Sequence, residues 1–152
     1  NQIGIIREPK TVLVLPEFLA TLPANEMRSG LAEMLKHGLI YDKEYWNKFK
    51  NLSNLNTEDL NILIHQSIQI KNNIVSKDLT ENGIRKSLNF GHTLGHAIES
   101  YFLESDSKTP LLHGEAIAIG MILESYISKE KKLLTNEEYH EIKYIIKDIY
   151  SS

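Results

Sequence analysis

Two imidazoles, His92 and His96, stand four residues apart in the run Asn89-Phe90-Gly91-His92-Thr93-Leu94-Gly95-His96-Ala97-Ile98-Glu99. On a helix this spacing stacks both rings on one face, one turn from each other. Such a pair is either an incidental feature of an amphipathic helix or half of a metal site. The chain has no cysteine, so any metal must be held by His, Asp, Glu or water. His113 and Glu33 are the candidates to complete a set. Gly91 and Gly95 form a second line at helical spacing. A glycine inside a helix costs about 1 kcal/mol against alanine, so two of them suggest the close approach of another backbone or of a ligand.

Other charged residues carry two readings each. Glu33 and Lys36, three apart, are either a helix-face ion pair worth tenths of a kcal/mol or a metal-binding carboxylate with an ammonium beside it for an anion. His37 follows, with nothing else to recommend it. Lys71 falls on the line Leu60, Ile64, Ile68, Lys71, Val75 of a helix. An ammonium on an apolar stripe must snorkel, pair or line a polar pocket. Arg85 is either a solvated turn residue or a guanidinium fork for phosphate or carboxylate. Glu81, in Asp78-Leu79-Thr80-Glu81-Asn82-Gly83, reads alone as a loop charge.

These residues need helices to hold them. Thr11-Val12-Leu13-Val14-Leu15, between Pro9 and Pro16, reads as one buried strand or extended segment. Everything after it reads helical. Pro23 opens a helix through Glu33 and Lys36 to Gly38. Asn56 caps a long helix with Asp59 at its third position. The histidine helix follows a polar turn, with an apolar face of Leu94, Ala97, Ile98 and Tyr101. After a loop from Glu104 to Pro110, His113-Gly114-Glu115 leads into an apolar helix from Ala116 to about Ser128. Thr135 and Glu138 box a last helix carrying Tyr139, Ile142, Ile146 and Ile149. The expected fold is one mainly α, multi-helix domain over residues 1–152 with a short strand near its start.

Composition narrows the class. The chain has 152 residues and a formal charge of −3. That length supports one domain with a core, and the charge argues against nucleic acid. No apolar run approaches the ~20 residues of a bilayer span, and no signal peptide is visible. A soluble cytoplasmic protein is the expectation. The first residue is Asn1 rather than Met, and the last helix carries no stop signal. The chain therefore reads as a piece of a longer one.

Together these pieces resemble one family, the 3-dehydroquinate synthases. The matching text is Asn1-x-Ile3-Gly4, Phe18-Leu19-x-Thr21-Leu22-Pro23, Gly30-x-Ala32-Glu33-x-x-Lys36-x-Gly38 and Lys71. It continues with Asp78-x-x-Glu81-x-Gly83-x-Arg85, Leu88-Asn89-Phe90-Gly91-His92-Thr93-Leu94-Gly95-His96-Ala97-x-Glu99, and His113-Gly114-Glu115-Ala116-x-Ala118-x-Gly120-Met121. The order holds over roughly residues 1 to 125, and the Asn-Phe-Gly-His-Thr-x-Gly-His-Ala block is highly specific. The resemblance implies the helical C-terminal domain of a two-domain enzyme whose Rossmann-like first domain binds NAD. No Gly-rich strand-turn-helix fingerprint occurs here, in agreement.

By that resemblance the metal ligands are Glu33, His92 and His113, holding zinc or cobalt. His96 is then not a ligand but, with Glu81, an acid–base group, which replaces the pairing of His92 with His96 that spacing alone suggested. Substrate contacts are Asn1, Lys36, Lys71, Arg85 and Asn89. The segment Phe18, Leu19, Ala20 and Thr21 touches the nicotinamide cofactor. The implied reaction converts 3-deoxy-D-arabino-heptulosonate 7-phosphate to 3-dehydroquinate and phosphate in the shikimate pathway, in a homodimer with no nucleic-acid or membrane partner.

Three departures stand out. Leu15 occupies a position that is commonly acidic. The loop from Glu104 to Leu112 is longer than in some relatives. The NAD domain, a lysine before Asn1 and a C-terminal substrate lysine are missing. The piece is therefore expected to fold and hold metal without turning over. Two competing readings are another sugar phosphate cyclase, such as 2-deoxy-scyllo-inosose synthase, and a helical metal-binding module without chemistry. A metal-dependent phosphohydrolase fits poorly, since no His-Asp dipeptide occurs.

Overall fold

The computed structural model describes residues 9–54 and 56–150 of the chain. Pro23 precedes α1 (Ala24–Tyr41), as its fixed φ suits a helix start. The Asp42 carboxylate accepts the amides of Glu44 and Tyr45 at 2.9 and 3.0 Å and so opens the short α2 (Lys43–Asn47). A 3₁₀ segment, Lys48–Asn54, leads on to α3 (Thr57–Lys77). The expected capping box is in place. Asn56 accepts the amides of Glu58 and Asp59 at 2.8 and 3.0 Å, while Asp59 accepts that of Asn56 at 3.1 Å.

A 3₁₀ turn, Ile84–Asn89, precedes α4 (His92–Leu103). The next helix, α5 (His113–Glu130), starts at His113 rather than Ala116, because Glu115 folds back onto the Leu112 amide at 2.8 Å. The reciprocal bonds of Thr135 and Glu138 start α6 (Asn136–Tyr150). Among the described residues, no helix is long and apolar enough to cross a bilayer.

The central helix is α5, which packs against α4, α1 and α6, while α1 also meets α2 and α3. The core between them holds Leu35 of α1, Trp46 of α2, Ile74 of α3, Ile117 and Met121 of α5, and Ile146 of α6. Polar tips pin the layers. The Trp46 indole donates to Glu141 at 3.0 Å, and the Tyr150 hydroxyl donates to the Arg28 carbonyl at 2.7 Å.

Three expectations need correction. Residues 11–15 form no strand among the described residues, and Leu13 is 83% exposed. A strand needs a partner edge, and here the segment is followed directly by a 3₁₀ turn, Pro16–Thr21. The buried line of α3 is Leu63, Ser67, Ile70 and Ile74, whereas Ile68 is exposed. On α4 the expected apolar face leaves Tyr101 exposed, and the residue that is fully buried is Gly95. This helix packs by its backbone more than by apolar side chains.

Candidate active site

The contact between α4 and α5 is made by glycines. A Cβ on Gly120 would lie 2.7 Å from the Gly95 nitrogen and closer still to the Gly91 carbonyl oxygen. A Cβ on Gly91 would meet the Met121 side chain at 2.5 Å, and Gly91 has a φ of 80°, in the left-handed region. The close neighbour that the two glycines of the histidine run implied is thus the α5 backbone. Gly91 offers no capping side chain, and Glu124 of α5 fills that role. It accepts the Gly91 amide at 2.8 Å and the Leu94 amide at 3.4 Å. Carboxylate charge at this end also suits the helix dipole.

Drawing α4 onto α5 gathers three imidazoles. The rings of His92 and His96, one turn apart, have centroids 5.2 Å apart, and His113 lies 5.6 and 5.5 Å from them. One nitrogen from each lies within 4.8 Å of the others. A second close approach brings in α1. Gly114 lies where a Cβ would overlap the Ser29 backbone, and its amide donates to the Ser29 hydroxyl at 3.0 Å. One turn beyond Ser29, Glu33 reaches to 3.5 Å from His92 Nε2.

The ring nitrogens differ in their partners. Nδ1 of His92 lies 3.3 Å from the Phe90 carbonyl, and Nδ1 of His113 lies 3.3 Å from the Glu99 carboxylate. Each ring is thereby oriented with Nε2 as its free ligand atom. No such bond to His96 occurs among the described residues. The clustered donors are thus three imidazoles, with the Glu33 carboxylate 3.5 Å from the His92 ring, and nitrogen and oxygen donors of this kind fit a divalent ion.

Beside this cluster a polar cavity of about 230 Å³ opens. Its walls carry Glu33 and Lys36 from α1, Lys71 from α3, and His92 from α4. Glu81, Arg85, Leu88 and Asn89 come from the turn between α3 and α4. That turn is built on Asp78, whose carboxylate accepts the amides of Asn82, Gly83 and Arg85 at 3.1, 2.7 and 3.0 Å. Those bonds, the Arg85 amide foremost, hold the Asp78 carboxyl below its usual range. Glu81 adopts a φ of 58° and accepts the Asn89 amide group at 2.7 Å. Its other oxygen lies 3.8 Å from Arg85 Nε, while Arg85 donates from Nη1 to the Leu79 carbonyl at 2.9 Å.

The cavity floor is electrostatically tight. Lys36 is only 2% exposed, and its ammonium contacts Glu33 at 2.7 Å. Burial pulls Lys36 below its ordinary pKa, with Glu33 opposing and Lys71 adding to the shift. Burial raises Glu33, but the Lys36 hydrogen bond and the Lys36, His92 and His37 charges outweigh it and keep the carboxyl low. Burial and then Lys36 lower His92, which favours the neutral imidazole that a metal requires.

Lys36, Lys71, Arg85, Asn89 and Glu81 therefore share one cavity with Glu33 and His92, and His96 and His113 stand against the His92 ring beside it. The segment Phe18, Leu19, Ala20 and Thr21 does not join them. It lies in the 3₁₀ turn with Phe18 74% exposed. Asn1 lies outside the described residues.

Sequence reasoning overlooked Ser29, Asp78 and Glu124, which place the functional groups without being among them. It also gave no role to Glu99, although its register, three residues from His96 and seven from His92, marks the same helix face. His37, passed over at first, is buried behind Lys36 with Nδ1 2.7 Å from the Ser67 hydroxyl.

Comparison with known proteins identifies the family. Residues 30–152 match a family model described as 3-dehydroquinate synthase C-terminal. A 3-dehydroquinate synthase of Prochlorococcus marinus is 46% identical over 144 residues, covering 91% of this chain and 39% of that protein. The one from Parabacteroides distasonis is 40% identical over 152 residues, covering 99% and 42%. The one from Streptococcus pyogenes serotype M18 is 43% identical over 139 residues, covering 91% and 38%. The chain thus spans about two fifths of the length of these curated relatives. A match over residues 30–152, most of its length, makes this chain a member of the 3-dehydroquinate synthase C-terminal family.

Proposed function

We propose that this chain is the metal- and substrate-binding domain of a cytoplasmic 3-dehydroquinate synthase. It works with an NAD-binding domain of the same enzyme, in a homodimer. The observation that carries the reading is the shared cavity. Three cations (Lys36, Lys71 and Arg85) face it beside the carboxylate and imidazole of Glu33 and His92. A sugar phosphate that bears a carboxylate needs that combination of charge and hydrogen bonding.

Glu33, His92 and His113 would hold a zinc or cobalt ion. When bound, the ion supplies a Lewis acid that acidifies a substrate hydroxyl. NAD, when bound, would supply a transient oxidation of a substrate alcohol, which acidifies the neighbouring C–H. The chain's own residues do the rest. Lys71 and Arg85, each within reach of the cavity, bind the phosphate and carboxylate. Lys36 stays paired to Glu33 and keeps that carboxylate ionised for the metal. Asn89 and Glu81, already bonded to each other, present a donor and an acceptor to substrate hydroxyls. Glu81 and His96 hold or move protons at the reacting carbons. Phe18, Leu19, Ala20 and Thr21 touch the nicotinamide, a role that suits the exposed Phe18 ring.

The test is phosphate release from 3-deoxy-D-arabino-heptulosonate 7-phosphate by the full-length enzyme, with the carbocyclic product identified by NMR. Lys71→Met and Arg85→Met should each raise KM at least tenfold, the loss of one charged hydrogen bond of about 1.5–3 kcal/mol. A different cyclitol as product would point to another sugar phosphate cyclase. Unchanged KM in both variants would reduce the domain to a metal-binding module. The 152-residue chain alone should release no phosphate.

A further inference from the structure

Resting on the reading of His113 as a metal ligand, we infer that Glu99 is a positioning residue for the metal centre. Its carboxylate fixes the ring orientation and tautomer of His113 from the neighbouring helix. The contact is 3.3 Å, from Glu99 Oε2 to His113 Nδ1. An N–H on Nδ1 donating to this carboxylate leaves the Nε2 lone pair free. The need for such a partner is plain from the surroundings. His113 is the first residue of α5 and its side chain is 48% exposed, so packing alone does not hold the ring. It also stands at the positive end of that helix, where a bound cation is disfavoured. A carboxylate on Nδ1 answers both problems, since it locks the ring and adds compensating negative charge.

The geometry gives α4 a second task. Besides carrying His92 and His96, it supplies the Nδ1 partner of His113 through Glu99. The Phe90 carbonyl, just before α4, does the same for His92. One helix and its leading turn therefore orient both rings, although His113 belongs to a different helix.

Zinc affinity of the full-length, metal-free protein, measured by competition with a chromophoric chelator, tests this. Glu99→Ala should weaken zinc binding about 10- to 100-fold. Glu99→Gln keeps an acceptor and should lose less. Thermal unfolding of the metal-free forms should match wild type, since the Glu99 carboxylate bonds the half-exposed His113 ring and not a core group. In a His113→Ala background, Glu99→Ala should have no further effect, because the two act through one ligand. Additive losses in the double variant, or wild-type affinity in Glu99→Ala while His113→Ala binds poorly, would overturn the inference. Wild-type affinity in His113→Ala would instead overturn the ligand assignment beneath it, and this inference with it.

Discussion

Replacing Gly120 with alanine tests whether a backbone contact between two helices builds the histidine cluster. The added methyl would stand 2.7 Å from the Gly95 nitrogen, 2.9 Å from the Gly91 carbonyl carbon and nearer still to that carbonyl's oxygen. Carbon contacts settle at about 3.5–4.0 Å, so α4 and α5 must part by roughly 1 Å at this point. The atoms in the way are backbone, with no rotamer to relieve them, so the cost belongs at the upper end of overpacking, about 3 kcal/mol. Alanine returns about 1 kcal/mol of helix propensity, leaving a net loss of about 2 kcal/mol. The same displacement carries His92 and His96 away from His113, and a misplacement of that size costs on the order of 100-fold where geometry is demanding. Urea unfolding and a zinc titration of the same samples measure both effects. Gly30→Ala is the control, since nothing lies within 4 Å of its Cβ and it sits within α1. It should stabilise by about 0.4–1 kcal/mol and leave zinc binding alone. If Gly120→Ala matched wild type in stability and zinc affinity, the glycine contact would not be what assembles the site.

Two further outcomes are expected. Burial, assisted by the Lys36 charge, brings His37 from 6.5 down to about 4, so the folded chain binds fewer protons than the unfolded one between those values. The stability this contributes is complete above pH 6.5 and is lost as pH falls through 4. At about 1.4 kcal/mol per pH unit it amounts to about 3 kcal/mol. Urea unfolding from pH 8 to pH 4 should show that slope, and His37→Gln should flatten it; parallel profiles would refute the assignment. Glu124→Ala strips the cap from Gly91 and Leu94 and should cost about 1 kcal/mol, with faster hydrogen exchange at those two amides. Unchanged exchange there would mean that water or another group caps α4 equally well.

Local chemistry made much of this protein legible from its residues alone. Asn56 with Asp59, and Thr135 with Glu138, are capping pairs within one turn, and they stand where their spacing puts them. The histidine spacing announced a shared helix face, and paired glycines announced a close neighbour. Lys71 on an apolar line left snorkelling, pairing and a polar pocket open, and in the fold it lines a pocket. These signals depend on contacts three or four residues apart, which the order of the chain contains.

Tertiary structure decided what depends on distant partners. An extended apolar run such as residues 11–15 becomes a strand only beside another strand, and none pairs with it among the described residues. Which apolar line of α3 faces inward was settled by α1 packing on it, in favour of Leu63, Ile70 and Ile74 over Ile68. Glu124 caps a helix that begins more than thirty residues earlier, and Glu99 reaches a histidine on another helix. Spacing along the chain cannot reveal such pairs, because they exist only once glycines let α4, α5 and α1 approach to backbone contact.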